Sequence, residues 1–372
     1  MGEYSDWRTM QSYPIPMVPG PVQVPPQILS AYQQDFGSPD LEPEYLELYN
    51  QTELKMRQLF GTQNQIAFLT GEGMLSLWSA LKSTIRPGER VLALATGVFG
   101  YGIGDMARSI GAQVKTLGFA HNETLQDWEK IEEAIIEFQP KMISVVHCET
   151  PSGTLNPLQK LGELKRKHNI PLLYADMVAS VGGVPIETDT WYVDLALGGS
   201  QKVLSAPCDI SFLAISQKAW EVIEDVAYVG YDALLPFRYA QQKAEFPYTP
   251  HWHGLAAIQT SVDMLLEEGL PCAYQRHELV ADYCRKQLQS MGYELFVETP
   301  FIPSPTVTAV KIPAGITWQD FDQKLRAEGL VVGGSYGPLT GKVFRLGHMG
   351  SQANMPLMHR ALAVLESVME SR

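Results

Sequence analysis

Residues 193–202 read Val-Asp-Leu-Ala-Leu-Gly-Gly-Ser-Gln-Lys. The first five are mostly apolar, as in a buried strand, and the chain then turns through two glycines to Lys202. An earlier stretch, residues 171–176, reads Pro-Leu-Leu-Tyr-Ala-Asp and closes another apolar run on a carboxylate, Asp176. Each residue alone has an ordinary explanation: Lys202 as a solvated surface lysine, Asp176 as a helix N-cap. Together they carry more weight, because ligands of open α/β sheets bind beyond the carboxyl ends of the strands.

On both sides of these stretches, short apolar runs alternate with amphipathic ones. Strands are expected over 66–70, 91–96, 114–117, 142–147, 171–176, 193–197 and 211–215. Helices are expected over 43–60, 74–83, 101–110, 125–137 and 158–167. This alternation predicts an α/β fold with a mainly parallel sheet covered on both faces. After about Tyr248 the pattern changes. Helices at 256–268 and 272–291 precede strands at 306–312, 330–333 and 343–347, with helices at 318–328 and 355–370. That reads as a smaller C-terminal α+β domain. The first residues are proline-rich, ending in Val18-Pro19-Gly20-Pro21-Val22, and exclude a regular helix or a central strand. The expected organisation is an extended arm over 1–27, a large domain over 28–254 and a small domain over 255–372.

The chain has 372 residues, 45% of them hydrophobic, enough for a sizeable core. Its net charge of −13 disfavours non-specific binding to nucleic acid or an anionic membrane. Cys148, Cys208, Cys272 and Cys284 form no C-x-x-C pair, so free buried thiols in a reducing compartment are expected. The N-terminus has no signal or transit character, and no apolar run is long enough to span a bilayer. A soluble, cytoplasmic protein is the expectation.

Polar or glycine-rich turns fall at several expected strand ends: Thr70-Gly71-Glu72-Gly73, Gly97-Val98-Phe99-Gly100, His147-Cys148-Glu149-Thr150, Asp176 and Ser200-Gln201-Lys202. A lysine and a carboxylate in these places suit pyridoxal 5'-phosphate (PLP). The amine forms an imine with the cofactor aldehyde, and the carboxylate keeps the pyridine nitrogen protonated, making the ring an electron sink.

Gly-Gly-Ser-Gln-Lys-Val-Leu-Ser-Ala-Pro, residues 198–207, resembles the cofactor-lysine segment of class V, fold-type I aminotransferases, the alanine–glyoxylate and serine–pyruvate group above all. Val18-Pro19-Gly20-Pro21 resembles that group's N-terminal glycine–proline turn. Ala175-Asp176-Met177-Val178-Ala179-Ser180 resembles its Asp-x-Val-x-Ser segment, and residues 340–347, Thr-Gly-Lys-Val-Phe-Arg-Leu-Gly, its carboxylate-binding segment. The likeness runs from about Val18 to the C-terminus. It implies PLP as cofactor, with an amino acid and a 2-oxo acid as substrates.

The resemblance also implies roles. Lys202 is the Schiff-base lysine and proton shuttle, and Asp176 pairs with the ring nitrogen. Phe99 stacks on the ring, Val178 lies beside it and Thr150 sits near the phenolic oxygen. Backbone N–H groups of Gly73 and Met74 and the side chains of Ser200 and Gln201 hold the phosphate. Arg345 and Gly20 meet the substrate, Arg345 through its two-pronged guanidinium. Thr249 reaches the phosphate of a neighbouring subunit, which implies a homodimer with shared active sites. One residue departs from the pattern. Glu72 stands beside the expected phosphate, where many relatives carry serine or another small hydroxyl residue, and a carboxylate there repels a dianion unless it turns away or is neutralised. The segments Gly-Glu, Thr-Pro-Ser-Gly-Thr and Gly-His-Met-Gly are similar to pyridoxamine–pyruvate aminotransferase, which takes the unphosphorylated vitamin as substrate. Tyr336 falls where that enzyme's second arginine is expected.

Other chemistries have weaker support. Gly100-Tyr101-Gly102-Ile103-Gly104 lacks the G-x-G-x-x-G spacing of a nicotinamide-dependent dehydrogenase. His251-Trp252-His253 offers a metal hydrolase two ligands and no third, and no metal site is expected. His147 and His348 read as packing or supporting residues. Cys148 is the one candidate thiol for a desulfurase. A non-catalytic binding protein on the same scaffold would have no need of Lys202, Asp176 and Arg345 together.

Overall fold

The strands form where apolar residues run for five or six positions. A computed structural model describes residues 12–370. In chain order, β1 is Ile15–Met17, α1 Pro26–Tyr32 and α2 Pro43–Phe60, followed by β2 (Gln65–Thr70), α3 (Gly73–Thr84), β3 (Arg90–Ala95), α4 (Val98–Ser109) and β4 (Gln113–Gly118). Next come α5 (Trp128–Phe138), β5 (Met142–Val146), the short hairpin strands β6 (Cys148–Glu149) and β7 (Thr154–Leu155), α6 (Gln159–Lys167), β8 (Leu172–Asp176), β9 (Leu195–Gly199) and β10 (Ile210–Ile215). The remainder comprises α7 (Gln217–Val226), α8 (Ala240–Lys243), α9 (Trp252–Glu268), α10 (Leu270–Ser290), β11 (Val307–Lys311), α11 (Trp318–Ala327), β12 (Leu330–Gly334), β13 (Val343–Gly347) and α12 (Met355–Glu370).

The larger sheet has the order β2-β10-β9-β8-β5-β3-β4. β10 is antiparallel to both of its neighbours, and the other pairs are parallel. Successive side chains serve opposite faces. Leu173 and Ala175 of β8 enter one core with α2, α5, α6 and α9, while Leu172 and Tyr174 enter another with α3, α4 and α7. Both faces are therefore covered, which is why β5, β8, β9 and β10 are buried along their whole length. Each fully buried Leu, Ile or Val contributes roughly 1.5–3 kcal/mol, so the strand positions are held by the two cores together.

The smaller sheet has the order β1-β12-β13-β11 and lies against α10, α11 and α12 through a third core containing Leu288, Phe321, Phe344 and Leu365. Residues 1–11 of the expected arm lie outside the described residues. Ile15–Met17 pair in parallel with Leu330–Val332 as an edge strand, a place that tolerates Pro16. Ile15–Met17 are thus tied to the last third of the chain. α9 contributes Leu255, Ala257, Ile258 and Val262 to the first core.

Two local expectations are corrected. Gly97-Val98-Phe99-Gly100 was expected as a turn, but α4 begins at Val98. The buried Glu149 carboxylate accepts the N–H groups of Phe99 and Gly100 and caps the helix from another segment. Free buried thiols are found for Cys148 and Cys284, whereas Cys208 and Cys272 are exposed. No described helix is long and apolar enough to cross a membrane.

The Phe212 ring of β10 lies over Gly198 of β9, where an added Cβ would stand 2.1 Å from a ring carbon. Gly198→Ala is expected to destabilise the fold by about 1–3 kcal/mol through overpacking. Urea unfolding measures this, and an unchanged midpoint contradicts the contact.

Candidate active site

β8 stops at Asp176, which stands opposite Leu197 of β9 and Val146 of β5. β9 continues through Gly198 and Gly199, and the next turn carries Lys202. Asp176 and Lys202 border a cavity of about 100 Å³, together with Val178. Glu72, Gly73 and Met74 reach it from the start of α3, Phe99 from the first turn of α4, and Thr150 from the hairpin turn. Leu77 and Ala179 complete the wall with Cys148. Apolar residues such as these carry no chemical sign that separates a cavity wall from a core. A larger open hollow, about 550 Å³, lies by the opposite ends of the strands, around Arg90, Lys141 and Pro171. Its volume does not make it the better site, because the paired amine and carboxylate are at the other end.

Lys202 donates from Nζ to the Pro19 carbonyl at 2.6 Å. Burial and the Arg345 charge push its amine down from 10.5 to about 8, against the opposing pull of Cys148, Glu72 and Asp176. Gly20, at φ +98°, lies against the same side chain, and a Cβ there would stand 2.6 Å from Nζ. Asp176 is buried and accepts the Val178 N–H at Oδ1, 2.9 Å away. Burial raises its carboxyl to about 6, while the Val178 N–H and the Lys202 charge favour ionisation and Glu72 opposes it. A protonated ring nitrogen beside Asp176 would restore the carboxylate.

Arg345 lies in β13, opposite Ala309 of β11 and Gly333 of β12, and is almost fully buried. Its Nε and Nη2 donate to the Gly334 carbonyl, and the Tyr336 ring centre is 4.7 Å from the guanidinium carbon. Burial lowers its proton affinity, and Tyr336 raises it. Tyr336 thus stacks on the guanidinium rather than adding a second one.

Met74, Gln201, Ser200 and Thr249, four of the residues expected to hold a phosphate, have partners within the chain. Glu72 precedes α3, and its Oε2 accepts the Met74 N–H at 2.8 Å while its Oε1 accepts from Gln201 Nε2. The carboxylate takes the anion's place at the helix N-terminus. Ser200 donates its hydroxyl to the Pro207 carbonyl and does not line the cavity. Thr249 is also away from it, bonded to Asp40 at 2.8 Å. The residues around Lys202 therefore fit a pyridine aldehyde, whereas Glu72 as placed opposes a phosphate.

The remaining candidates have structural partners. Burial pushes the Cys148 thiol up to about 11, and it bonds to Ser304, so it is a poor nucleophile. His147 meets Ser180 at 2.9 Å and His348 meets Thr308 at 2.8 Å; burial holds the two rings neutral, down to about 4 and about 3. His251 bonds to Asp209 and His253 to the Tyr32 carbonyl. Among the described residues no group of three or more His, Cys, Asp or Glu is placed to hold a metal. The glycines from Gly100 to Gly104 lie inside α4, not in a strand-to-helix turn.

A family model described as "Aminotransferase class-V" matches residues 19–349. The chain is similar to alanine–glyoxylate aminotransferase of Oryctolagus cuniculus, at 30% identity over 95% of this chain and 91% of that protein. It is also similar to pyridoxamine–pyruvate transaminase of Mesorhizobium japonicum, at 29% identity over 96% and 92%. The crystal structure of alanine–glyoxylate aminotransferase from Nostoc sp. superimposes with a TM-score of 0.91 at 30% identity, covering 98% of this chain and 99% of that one.

Because Lys202 is depressed to about 8, its neutral fraction should rise through that pH in the protein without vitamin. Site-resolved reductive methylation across pH, read by peptide mass spectrometry, measures the midpoint. A midpoint near 10.5 contradicts the burial described.

Proposed function

We propose that this chain, which belongs to the class V aminotransferase family, moves an amino group from a small amino acid of the alanine or serine type to a small 2-oxo acid of the glyoxylate or pyruvate type, on a pyridoxal ring linked to Lys202. The observation that carries the reading is the convergence of Lys202 and Asp176 on one cavity, with the buried Arg345 close enough for its charge to depress the Lys202 amine. The family uses PLP, and when bound it supplies an aldehyde and an electron-withdrawing ring.

The chain's own groups then divide the work. Lys202, poised near neutrality, gives and accepts the proton at the substrate Cα. Asp176 holds charge at the ring nitrogen, and Phe99, Val178 and Thr150 bound the ring's space. The N–H fork of Arg345 binds the carboxylate common to donor and acceptor, and Gly20, expected to meet the substrate, leaves room for the Lys202 side chain. The likeness to alanine–glyoxylate aminotransferases supports small substrates. The reading includes a homodimer in which Thr249 serves a second copy's site. It also includes a cytoplasmic setting, which four unbridged cysteines suit.

A second reading is favoured by Glu72. Its carboxylate engages the Met74 N–H and the Gln201 amide, so an unphosphorylated ring is accommodated where a phosphate meets like charge. The chain would then act on free pyridoxamine and pyruvate, the pair for which the Mesorhizobium relative is named.

An amino-donor by 2-oxo-acid panel on the vitamin-loaded protein tests the first reading. Activity with alanine or serine and glyoxylate or pyruvate is expected, absent in a folded Lys202→Ala variant; full activity in that variant contradicts the role. Arg345→Ala should raise KM for both acids by about 30-fold or more. For the second reading, pyridoxamine plus pyruvate is assayed against alanine plus glyoxylate. Glu72→Ser should strengthen binding of PLP relative to pyridoxal, and no turnover of free pyridoxamine removes this reading.

A further inference from the structure

Gln352 is fully buried beyond the end of β13, in the turn that follows Arg345. Its Nε2 donates to two carbonyls, Gly347 at 2.6 Å and Val18 at 2.8 Å. Its Oε1 accepts the Gln23 N–H at 3.2 Å. The neighbouring Ser351 donates its hydroxyl to the Gln23 carbonyl and its N–H to Ser205 Oγ. The N-terminal arm is therefore held on both sides of Pro19 and Gly20. A further bond ties Val22 N–H to the Gln201 carbonyl, beside Lys202.

Only a side chain with two N–H donors and one acceptor makes all three contacts from a single buried position. Leucine makes none of them, and an ionised glutamate has no donor. The fit is close elsewhere too. A Cβ at Gly347 would stand 2.3 Å from the Val18 carbonyl oxygen and 2.5 Å from Pro19 Cα. The arm lies directly on the strand that carries Arg345. The next carbonyl along, Pro19, accepts the hydrogen bond from Lys202 Nζ.

We propose that Gln352 is a positioning residue for the reacting amine: one amide fixes the Arg345 strand and the N-terminal arm in a single register, so that the Pro19 carbonyl meets Lys202 Nζ. The inference rests on Lys202 being the amine of the proposed reaction. Arg345 from β13 lowers the proton affinity of Lys202, while Asp176 from β8, Glu72 before α3 and Cys148 from β6 raise it. The Pro19 carbonyl adds an acceptor that favours the ammonium over the amine. Loss of that acceptor should make Lys202 neutral at lower pH.

The experiment uses the protein without vitamin or substrate and reads the Lys202 methylation midpoint against pH. Gln352→Leu should lower the midpoint by about one pH unit, the size expected for losing a hydrogen bond to a charged group. Gly347→Ala, which pushes the Val18 carbonyl and the arm away while Gln352 itself is kept, should lower it in the same direction and carries the test if Gln352→Leu fails to fold. Leu288→Ala, in the core of the smaller sheet, should lower Tm and leave the midpoint alone. The proposal is overturned if the arm variants lose stability but keep the parent midpoint, or if all three variants shift it equally. Transamination plays no part in this readout, so failure of the functional reading and failure of the positioning role are separate results.

Discussion

The parallel pairing of β8 with β9 is the constraint on which the site depends. It sets Asp176 opposite Leu197, so the strand that ends in a carboxylate lies beside the strand whose next turn carries Lys202. Neither residue is placed by a contact with the other. Both are placed by cores on the two faces of the sheet, with Leu172 and Tyr174 on one side and Leu173 and Ala175 on the other. A one-residue slip would exchange these sets and carry the carboxylate out of position.

Burial then shapes the chemistry. Removing Lys202 from water and setting it near Arg345 brings its amine down to about 8, against the opposing pull of Cys148, Glu72 and Asp176. The same burial holds the Asp176 carboxyl ready for a cationic partner. Glu149, buried and capping α4, is raised to about 8 by its own desolvation, offset in part by the Phe99 and Gly100 N–H groups it accepts. That cap sets where Phe99 enters the cavity. Glu72 does for α3 what Glu149 does for α4, but at the mouth where a phosphate would arrive. One kind of contact therefore serves scaffold in one place and, in the second reading proposed above, ligand choice in the other.

Much of this was legible in the sequence. The apolar runs predicted the strands of the larger sheet to within two residues at either end, because strands buried on both faces have little freedom in composition. Asp176, Lys202, Phe99 and Glu72 announced themselves by falling at strand ends. What was illegible depends on partners far along the chain. The start of α4 needs Glu149, the pairing of β1 needs β12, and the bonds of Gln352 need Val18 and Gln23. The engagement of Ser200 and Gln201 within the chain was likewise hidden, since a donor's residue type does not say which acceptor it meets.

In the proposed function, Lys202 is the amine that captures a pyridoxal aldehyde. The most direct measurement of this capture is borohydride reduction of the protein incubated with PLP and, separately, with pyridoxal, followed by digestion and peptide mass spectrometry. A reduced pyridoxyl group is expected on the peptide containing Lys202 with at least one of the two forms. A label confined to other lysines, or none with either form, would contradict it.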